Sequence, residues 1–166
     1  MTEHEAFVRL SCTLTGMTES EIPAMVEQRD PTGAPVKLYE MYFERLRAAY
    51  PVEFRELLDA WSAVVSAAPD EDGREAALSA RLAQKGEAGD RLRVAARQVI
   101  KIWYLSVIDR PAVPLAKDGK SQTQVGGDLG HYEHSAIWKL IGAPVPGYSY
   151  FHHGYWKHKP ELAARK

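Results

Sequence analysis

The sequence predicts an all-α fold: about six helices around a central buried helix, followed by a long irregular C-terminal arm rich in aromatic residues. Apolar residues recur at helical spacing through most of residues 1–110, and no pair of alternating segments supports a sheet. The chain has 166 residues, of which 45% are hydrophobic and 26% charged, close to the average for globular domains. We therefore expect one domain with a single core.

The first predicted helix spans residues 3–15 and ends at Gly16, a typical C-terminal glycine. Its apolar face consists of Phe7, Leu10 and Leu14. A second, short helix is expected next, because Thr18 stands three residues before Glu21, which is the spacing of a capping box. Its apolar residues are Ile22, Met25 and Val26.

Residues 30–35 predict a loop, since Pro31 and Pro35 disfavour helix in the residues before them. Helical periodicity resumes over residues 36–49, and Pro51 then begins a further helix at a first-turn position. That helix has a strongly amphipathic face made of Phe54, Leu57, Leu58, Trp61, Val64 and Val65.

Residues 69–73 predict a turn, and residues 74–84 a weaker helix. Asp90 is a natural N-cap for the next helix, which runs from residue 91 to about residue 108. This helix is the most apolar in the chain and is expected to be the central, buried one, with Pro111 ending it.

Residues 111–130 lack periodicity and contain four glycines, whereas residues 131–141 can form three turns of helix. The predicted organisation is thus a single domain over residues 1–166. Residues 1–110 form its helical core, and residues 111–166 form a loop, a short helix and the C-terminal arm.

Charge and composition exclude several classes of protein. The net charge of −1 argues against a dedicated nucleic-acid binder, although residues 1–83 hold 15 acidic and 8 basic residues and residues 84–166 hold 7 and 13. No apolar run approaches the roughly 20 residues that cross a bilayer. The acidic N-terminus has neither a basic n-region nor a twin-arginine signal, so no export signal is expected. The compartment stays open: cytoplasmic as written, or periplasmic by co-export or after signal removal.

Motifs for catalysis and cofactor binding are missing from the sequence. It has no dinucleotide-binding fingerprint, no P-loop and no nucleophile elbow, and the glycines of residues 126–130 follow no predicted strand. Cys12, the single cysteine, lies in an amphipathic helix and is interpreted as a buried structural thiol. We therefore expect no catalytic residue and no cofactor in this chain.

A metal site is the alternative enzymatic interpretation. His131 and His134 lie three residues apart on a short predicted helix, and a third ligand would come from the arm. The arm histidines are His152, His153 and His158. Two observations argue against a metal site. The sequence has no His-Glu-x-x-His spacing. Histidines beside aromatic residues in irregular segments also usually make ordinary hydrogen bonds.

The aromatic cluster near the C-terminus is the strongest signal of function. Seven of the sixteen aromatic residues lie in residues 132–156: Tyr132, Trp138, Tyr148, Tyr150, Phe151, Tyr155 and Trp156. Aromatic residues are enriched at protein interfaces, so contact with a partner is the leading hypothesis. Two alternatives stay open: the arm packs on the chain's own helices, or it stacks on single-stranded nucleic acid, for which no RNA-binding motif is present.

Three segments together resemble a known family. Residues 7–16 fit the pattern F-x-x-L-S-x-x-L-T-G, and residues 102–109 resemble a helix end of the form W-Y-x-G-[VI]-[VI]. Residues 132–138, then 148–150 and 154–156, resemble a final block with Y-E-x-A-L-M and G-x-W. The set resembles the small (gamma) subunits of bacterial FAD-dependent sugar and alcohol dehydrogenases, such as the sorbitol, fructose and glucose dehydrogenases, over most of the chain.

The resemblance implies a non-catalytic subunit that binds a large FAD-containing subunit similar to glucose–methanol–choline oxidoreductases and stabilises or matures it. A cytochrome subunit is a further partner in this class of complex. The expected contacts are Trp103 and Tyr104 together with the aromatic residues of the arm. The chain departs from the family in having no twin-arginine signal, Ser106 where glycine is preferred, and no cysteine in the final block. A stand-alone helical interaction protein remains the other alternative.

Overall fold

The structure, a computed structural model, describes residues 1–27, 36–68, 70–109, 124–126 and 135–141. The prediction of an all-α fold is confirmed: the described residues form seven helices and four strands of two or three residues. No helix within these residues has the length and apolar character needed to span a bilayer. The aromatic arm beyond residue 141 and the loop of residues 110–123 lie outside the described part.

Helix α1, Glu3–Thr15, has the predicted bounds. Thr2 and Glu5 form a capping box, in which the Glu5 backbone N–H donates to Thr2 Oγ1 (3.2 Å) and the Thr2 N–H donates to Glu5 Oε2 (2.7 Å). Gly16 ends the helix in the left-handed region, with a φ of 71°.

The second helix is shorter than its apolar residues indicate. Helix α2 spans Glu21–Ala24, and Thr18 binds the Glu21 backbone N–H through its hydroxyl (3.2 Å), as the capping-box spacing predicts. Strand β1, Val26–Glu27, follows and pairs antiparallel with β2, Val36–Lys37. The helix predicted from residue 36 therefore begins two residues later, as α3, Leu38–Ala49.

Helix α4, Pro51–Ala67, begins at its proline as predicted, and five of its six expected face residues are buried, with Val65 half-buried. Helix α5, Glu71–Leu82, begins three residues before its predicted start, because Asp70 caps it by accepting a hydrogen bond from the Gly73 N–H (2.7 Å). The turn predicted over residues 69–73 is therefore wrong for residues 71–73, which belong to the helix.

Helix α6, Glu87–Leu105, is the central helix and packs against α1, α3, α4, α5 and α7, which spans Ala136–Ile141. The predicted N-cap is wrong: Gly86, with a φ of 100°, precedes the helix, and Asp90 lies in its first turn, paired with Arg93. Arg93 also donates to the carbonyl oxygens of Leu82 (2.6 Å) and Gln84 (2.7 Å), which joins α6 to the end of α5.

The predicted end of the central helix is also wrong. Helix α6 ends at Leu105, and Ser106 takes a left-handed conformation with a φ of 55°. The chain then forms β3, Val107–Asp109, paired antiparallel with β4, Gln124–Gly126. The expectation that no strands pair is thus corrected, because two-residue and three-residue strands are too short to show alternation in the sequence.

Aromatic rings from four helices join at the centre of the core. Phe7 of α1 contacts Phe43, Phe54 and Trp103, with ring centroids 5.8, 5.6 and 6.3 Å apart. All four rings are at most 2% exposed. Because these residues come from α1, α3, α4 and α6, the ring cluster holds the helices in one hydrophobic core.

Candidate functional site

The described parts of the segments that carry the sequence resemblance contact one another in the fold. We call this region the motif junction; it comprises residues 7–16 of the first segment, residues 102–109 of the second, and residues 135–138 from the third. Residues 7–16 lie in α1 and its C-cap, residues 102–109 cover the end of α6 and β3, and residues 135–138 begin α7. The contacts between them are direct.

Trp103 lies inside this junction, not on its surface. Its ring stacks on Phe7 and meets Tyr42 edge to face at 4.9 Å, and the side chain is only 1% exposed. Its prediction as a partner contact is therefore corrected: Trp103 fills the core behind the site. From the sequence alone, Trp103 looks like an interface residue because it lies near the end of a helix. The residues that bury it, Phe7 and Tyr42, come from distant segments.

Tyr104 connects the first two segments. Its hydroxyl donates a hydrogen bond to the backbone oxygen of Thr15 (2.7 Å), the last residue of α1. That bond satisfies one of the carbonyl groups left unpaired at the end of a helix. The side chain is half-buried.

The third segment is attached to the same residue. Ser135, 3% exposed, donates its hydroxyl proton to the backbone oxygen of Tyr104. The Trp138 N–H then donates to the Ser135 oxygen (3.3 Å) as α7 begins. Trp138 is half-buried, and Leu105 beside Tyr104 is 40% exposed. The junction thus presents Tyr104, Leu105 and Trp138 at its surface. Leu105 was not predicted from the sequence, because only aromatic residues were considered as partner contacts.

The turn after α6 is fixed by buried polar contacts. Ser106 Oγ and Tyr42 Oη share a hydrogen bond of 2.9 Å, and both side chains are at most 1% exposed. A φ of 55° lies in the left-handed region that favours glycine. The tyrosine contact compensates for the strain that serine carries in this conformation. No local sequence pattern predicts the hydrogen bond between Ser106 and Tyr42, because the two residues are 64 positions apart.

Asp109 fixes β3 against the side of α6. Its carboxylate accepts hydrogen bonds from Lys101 Nζ (2.6 Å) and Gln98 Nε2 (2.9 Å), and its backbone N–H donates to Gln98 Oε1 (2.8 Å). Its backbone oxygen accepts a hydrogen bond from the Tyr50 hydroxyl (2.8 Å). The position of Asp109 is therefore set by contacts from α6 and from the corner between α3 and α4.

The remaining predicted site residues lie outside the described residues. They are the arm aromatics Tyr132, Tyr148, Tyr150, Phe151, Tyr155 and Trp156, and the histidines His131, His134, His152, His153 and His158. Among the residues that the structure does describe, no group of three or more His, Cys, Asp or Glu side chains is arranged to hold a metal ion.

Cys12 has the properties of an unreactive thiol. The side chain is half-buried, and desolvation, followed by the charge of Glu19, raises the pKa of the thiol to about 11. A thiol with this pKa is protonated at neutral pH, which makes it a poor nucleophile and a poor metal ligand.

Comparison of the chain with protein-family models, curated proteins and solved structures gives no match.

Proposed function

We propose that this chain is a non-catalytic small subunit that binds a separate FAD-dependent dehydrogenase subunit and stabilises or matures it. The partner is of the glucose–methanol–choline type and oxidises a sugar or glycoside. The carrying observation is the motif junction: Tyr104 binds Thr15 of the first segment and Ser135 of the third. Segments that resemble a small-subunit family in order and pattern thus contact one another, although Thr15 and Tyr104 are 89 positions apart.

The junction is suited to binding a protein without large rearrangement. Tyr104, one of its surface residues, is held by its hydroxyl on Thr15, and the turn behind it is fixed by the buried contact between Ser106 and Tyr42. A surface side chain that is fixed before binding loses little conformational entropy in the complex, which favours affinity. The partly exposed rings of Tyr104 and Trp138 are of the residue types enriched in interface hot spots, and Leu105 adds apolar area beside them.

The two subunits have different roles in this proposal. In the proposed complex FAD belongs to the large subunit, which carries out the oxidation. This chain contributes contact area at Tyr104, Leu105 and Trp138, and we propose that the arm aromatics extend the same surface. A cytochrome subunit is a further partner that we propose for the same complex.

Co-expression tests the proposal. A glucose–methanol–choline flavoprotein encoded beside this chain is produced with and without it, and its solubility, FAD absorbance and dye-linked sugar oxidation are measured. We expect a complex on gel filtration and a flavoprotein that is poorly soluble or poorly loaded when produced alone. A flavoprotein that is soluble, FAD-loaded and active alone, and that forms no complex, would overturn the proposal.

Two matched variants locate the surface. Leu105→Asp places a charge in the junction, whereas Val94→Asp places one on the same face of α6, eleven residues or about 16 Å away. The side chains are 40% and 38% exposed, so both variants should fold. We expect Leu105→Asp to abolish the complex and Val94→Asp to leave it intact. Trp138→Ala should weaken assembly by about 2–4 kcal/mol if Trp138 is a central anchor.

A further inference from the structure

A second surface lies at the start of α1, away from the motif junction. It is a groove of about 480 Å³ between the N-terminal turn of α1, the end of α3 and the first three turns of α4. Phe43, Phe54 and Leu58 form its apolar floor. Because the three side chains are at most 8% exposed and packed into the core, the shape of the floor is fixed.

Both signs of charge line this groove, and several of the charges are uncompensated. Arg55, Asp59 and Glu3 are lining residues that make no ion pair with any described residue. Arg47, in contrast, is held by Glu44 at 2.6 Å. The rim therefore offers a guanidinium and two carboxylates to whatever binds here.

Of the four large hydrophobic side chains that are exposed in the described residues, Met1 lines this groove, and Val52 lies outside its lining but next to Pro51 on α4. Met1 lines it and is 59% exposed. Val52 is 56% exposed and lies on α4 three residues before Arg55 and seven before Asp59, which places all three on one side of that helix. The surface thus combines a concave apolar floor with protruding apolar side chains.

We propose that this groove is the interface of a symmetric dimer of the chain. A two-fold contact places each residue of a patch opposite other residues of the same patch, so the patch must complement itself. Here Arg55 of one copy would meet Asp59 of the other, and Val52 and Met1 of each copy would cover the floor of the other. A partner of one dominant charge would leave either Arg55 or the carboxylates unmatched.

The dimer is independent of the proposed function. The groove lies at Thr2, at the start of α1, and the motif junction at Thr15, at its end. The thirteen residues of α1 separate the two by about 20 Å. A flavoprotein bound at the junction and a second copy bound at the groove would therefore form a complex with two of each subunit.

The test is the mass of the purified full chain in solution. Sedimentation equilibrium between 1 and 200 µM should give twice the chain mass of 18.6 kDa at the higher concentrations. Val52→Asp should weaken the dimer about tenfold or more, because an unpaired carboxylate would have to be desolvated. Val94→Asp serves as the control and should leave the mass unchanged. Circular dichroism checks that both variants are folded.

A charge exchange tests the geometry. Arg55→Asp and Asp59→Arg should each weaken the dimer, because each places like charges together, and the double variant R55D/D59R should restore it. A chain that is monomeric up to 200 µM overturns the proposal, and so does a dimer that is insensitive to Val52→Asp. A dimer lost in Leu105→Asp but kept in Val52→Asp would place self-association at the motif junction and would likewise overturn it.

Discussion

Gly89 shows how a single position fixes the corner between α5 and α6. A Cβ atom at this residue would lie 2.0 Å from the backbone oxygen of Gln84, which is far closer than carbon and oxygen can approach. The same oxygen accepts a hydrogen bond from Arg93. Glycine is therefore required here by the approach of the two chain segments, whereas the sequence shows only a glycine near a helix start.

We expect Gly89→Ala to lower the free energy of unfolding by about 2 kcal/mol, since the backbone of residue 84 must move and its bond to Arg93 is strained. Urea denaturation followed by circular dichroism measures it. Gly16→Ala is the matched comparison: its Cβ would meet nothing within 4 Å, but its φ of 71° costs about 1 kcal/mol in a residue with a side chain. A smaller loss of unfolding free energy in Gly89→Ala than in Gly16→Ala would contradict the conclusion that position 89 requires glycine.

Cys12 leads to a prediction about reactivity and pH. Because its thiol pKa is raised from 9.0 to about 11, the thiolate fraction at pH 8 is lower about a hundredfold than that of an ordinary cysteine. Labelling with a thiol reagent at pH 8 should be at least that much slower for the folded chain than in denaturant. Equal rates would show that the thiol is exposed.

The same shift has a consequence for stability. The unfolded thiol ionises near pH 9, whereas the folded thiol stays protonated until about pH 11. The contribution of Cys12 to stability is therefore present below pH 9 and is lost as the pH rises toward 11. We expect Cys12→Ala to show a shallower decline of stability over this interval.

Strand β3 is held against α6 by the side chain of Gln98. Gln98 is 3% exposed and uses both ends of its amide to hold the backbone and the carboxylate of Asp109. We expect Gln98→Ala to lower the free energy of unfolding by about 1–3 kcal/mol, because the Asp109 N–H loses its acceptor. Amide exchange at Asp109 should accelerate in the same variant.

Arg97→Ala provides the control for this element. Arg97 precedes Gln98 on α6 but is exposed, so its loss should change the unfolding free energy by less than about 0.5 kcal/mol. A Gln98→Ala variant as stable as Arg97→Ala, with unchanged exchange at Asp109, would show that the Gln98 contact does not hold β3.

Element boundaries could be predicted where local chemistry sets them. The C-terminal glycine at Gly16 and the first-turn proline at Pro51 both act within four residues, and the bounds at those positions match. The end of α6 could not be predicted in this way. It depends on Ser106 binding Tyr42, and that bond exists only after α3 and α6 have packed.

At the scale of the whole molecule, Phe7 links the helices most broadly, since its ring contacts residues of α3, α4 and α6. Phe7→Ala should lower the free energy of unfolding by about 3–5 kcal/mol through the cavity it leaves. Thermal unfolding measures the loss. Arg9→Ala, which removes only a surface ion pair with Glu19, should cost less than about 1 kcal/mol. Similar losses in both variants would contradict the central role of the ring cluster.

The candidate site could be predicted only in part, because its contacts join residues that lie far apart in the sequence. Sequence patterns identified Tyr104 and Trp138, which the structure brings to one surface, and the partner they bind remains a proposal. They misassigned Trp103, because the residues that bury it come from other helices. They missed the groove at α1 altogether, since its lining comes from three helices and only the folded chain brings these together.

The pairing of β3 with β4 has a practical consequence. It holds Asp109 and Gln124 opposite each other, so the two ends of residues 110–123 are already neighbours. Once the ends of a connection are fixed, doubling its length costs only about 0.6 kcal/mol of closure entropy. Doubling the number of residues between Asp109 and Gln124 should therefore lower the free energy of unfolding of the helical core by only about that amount, because the pairing of the two strands already fixes both ends.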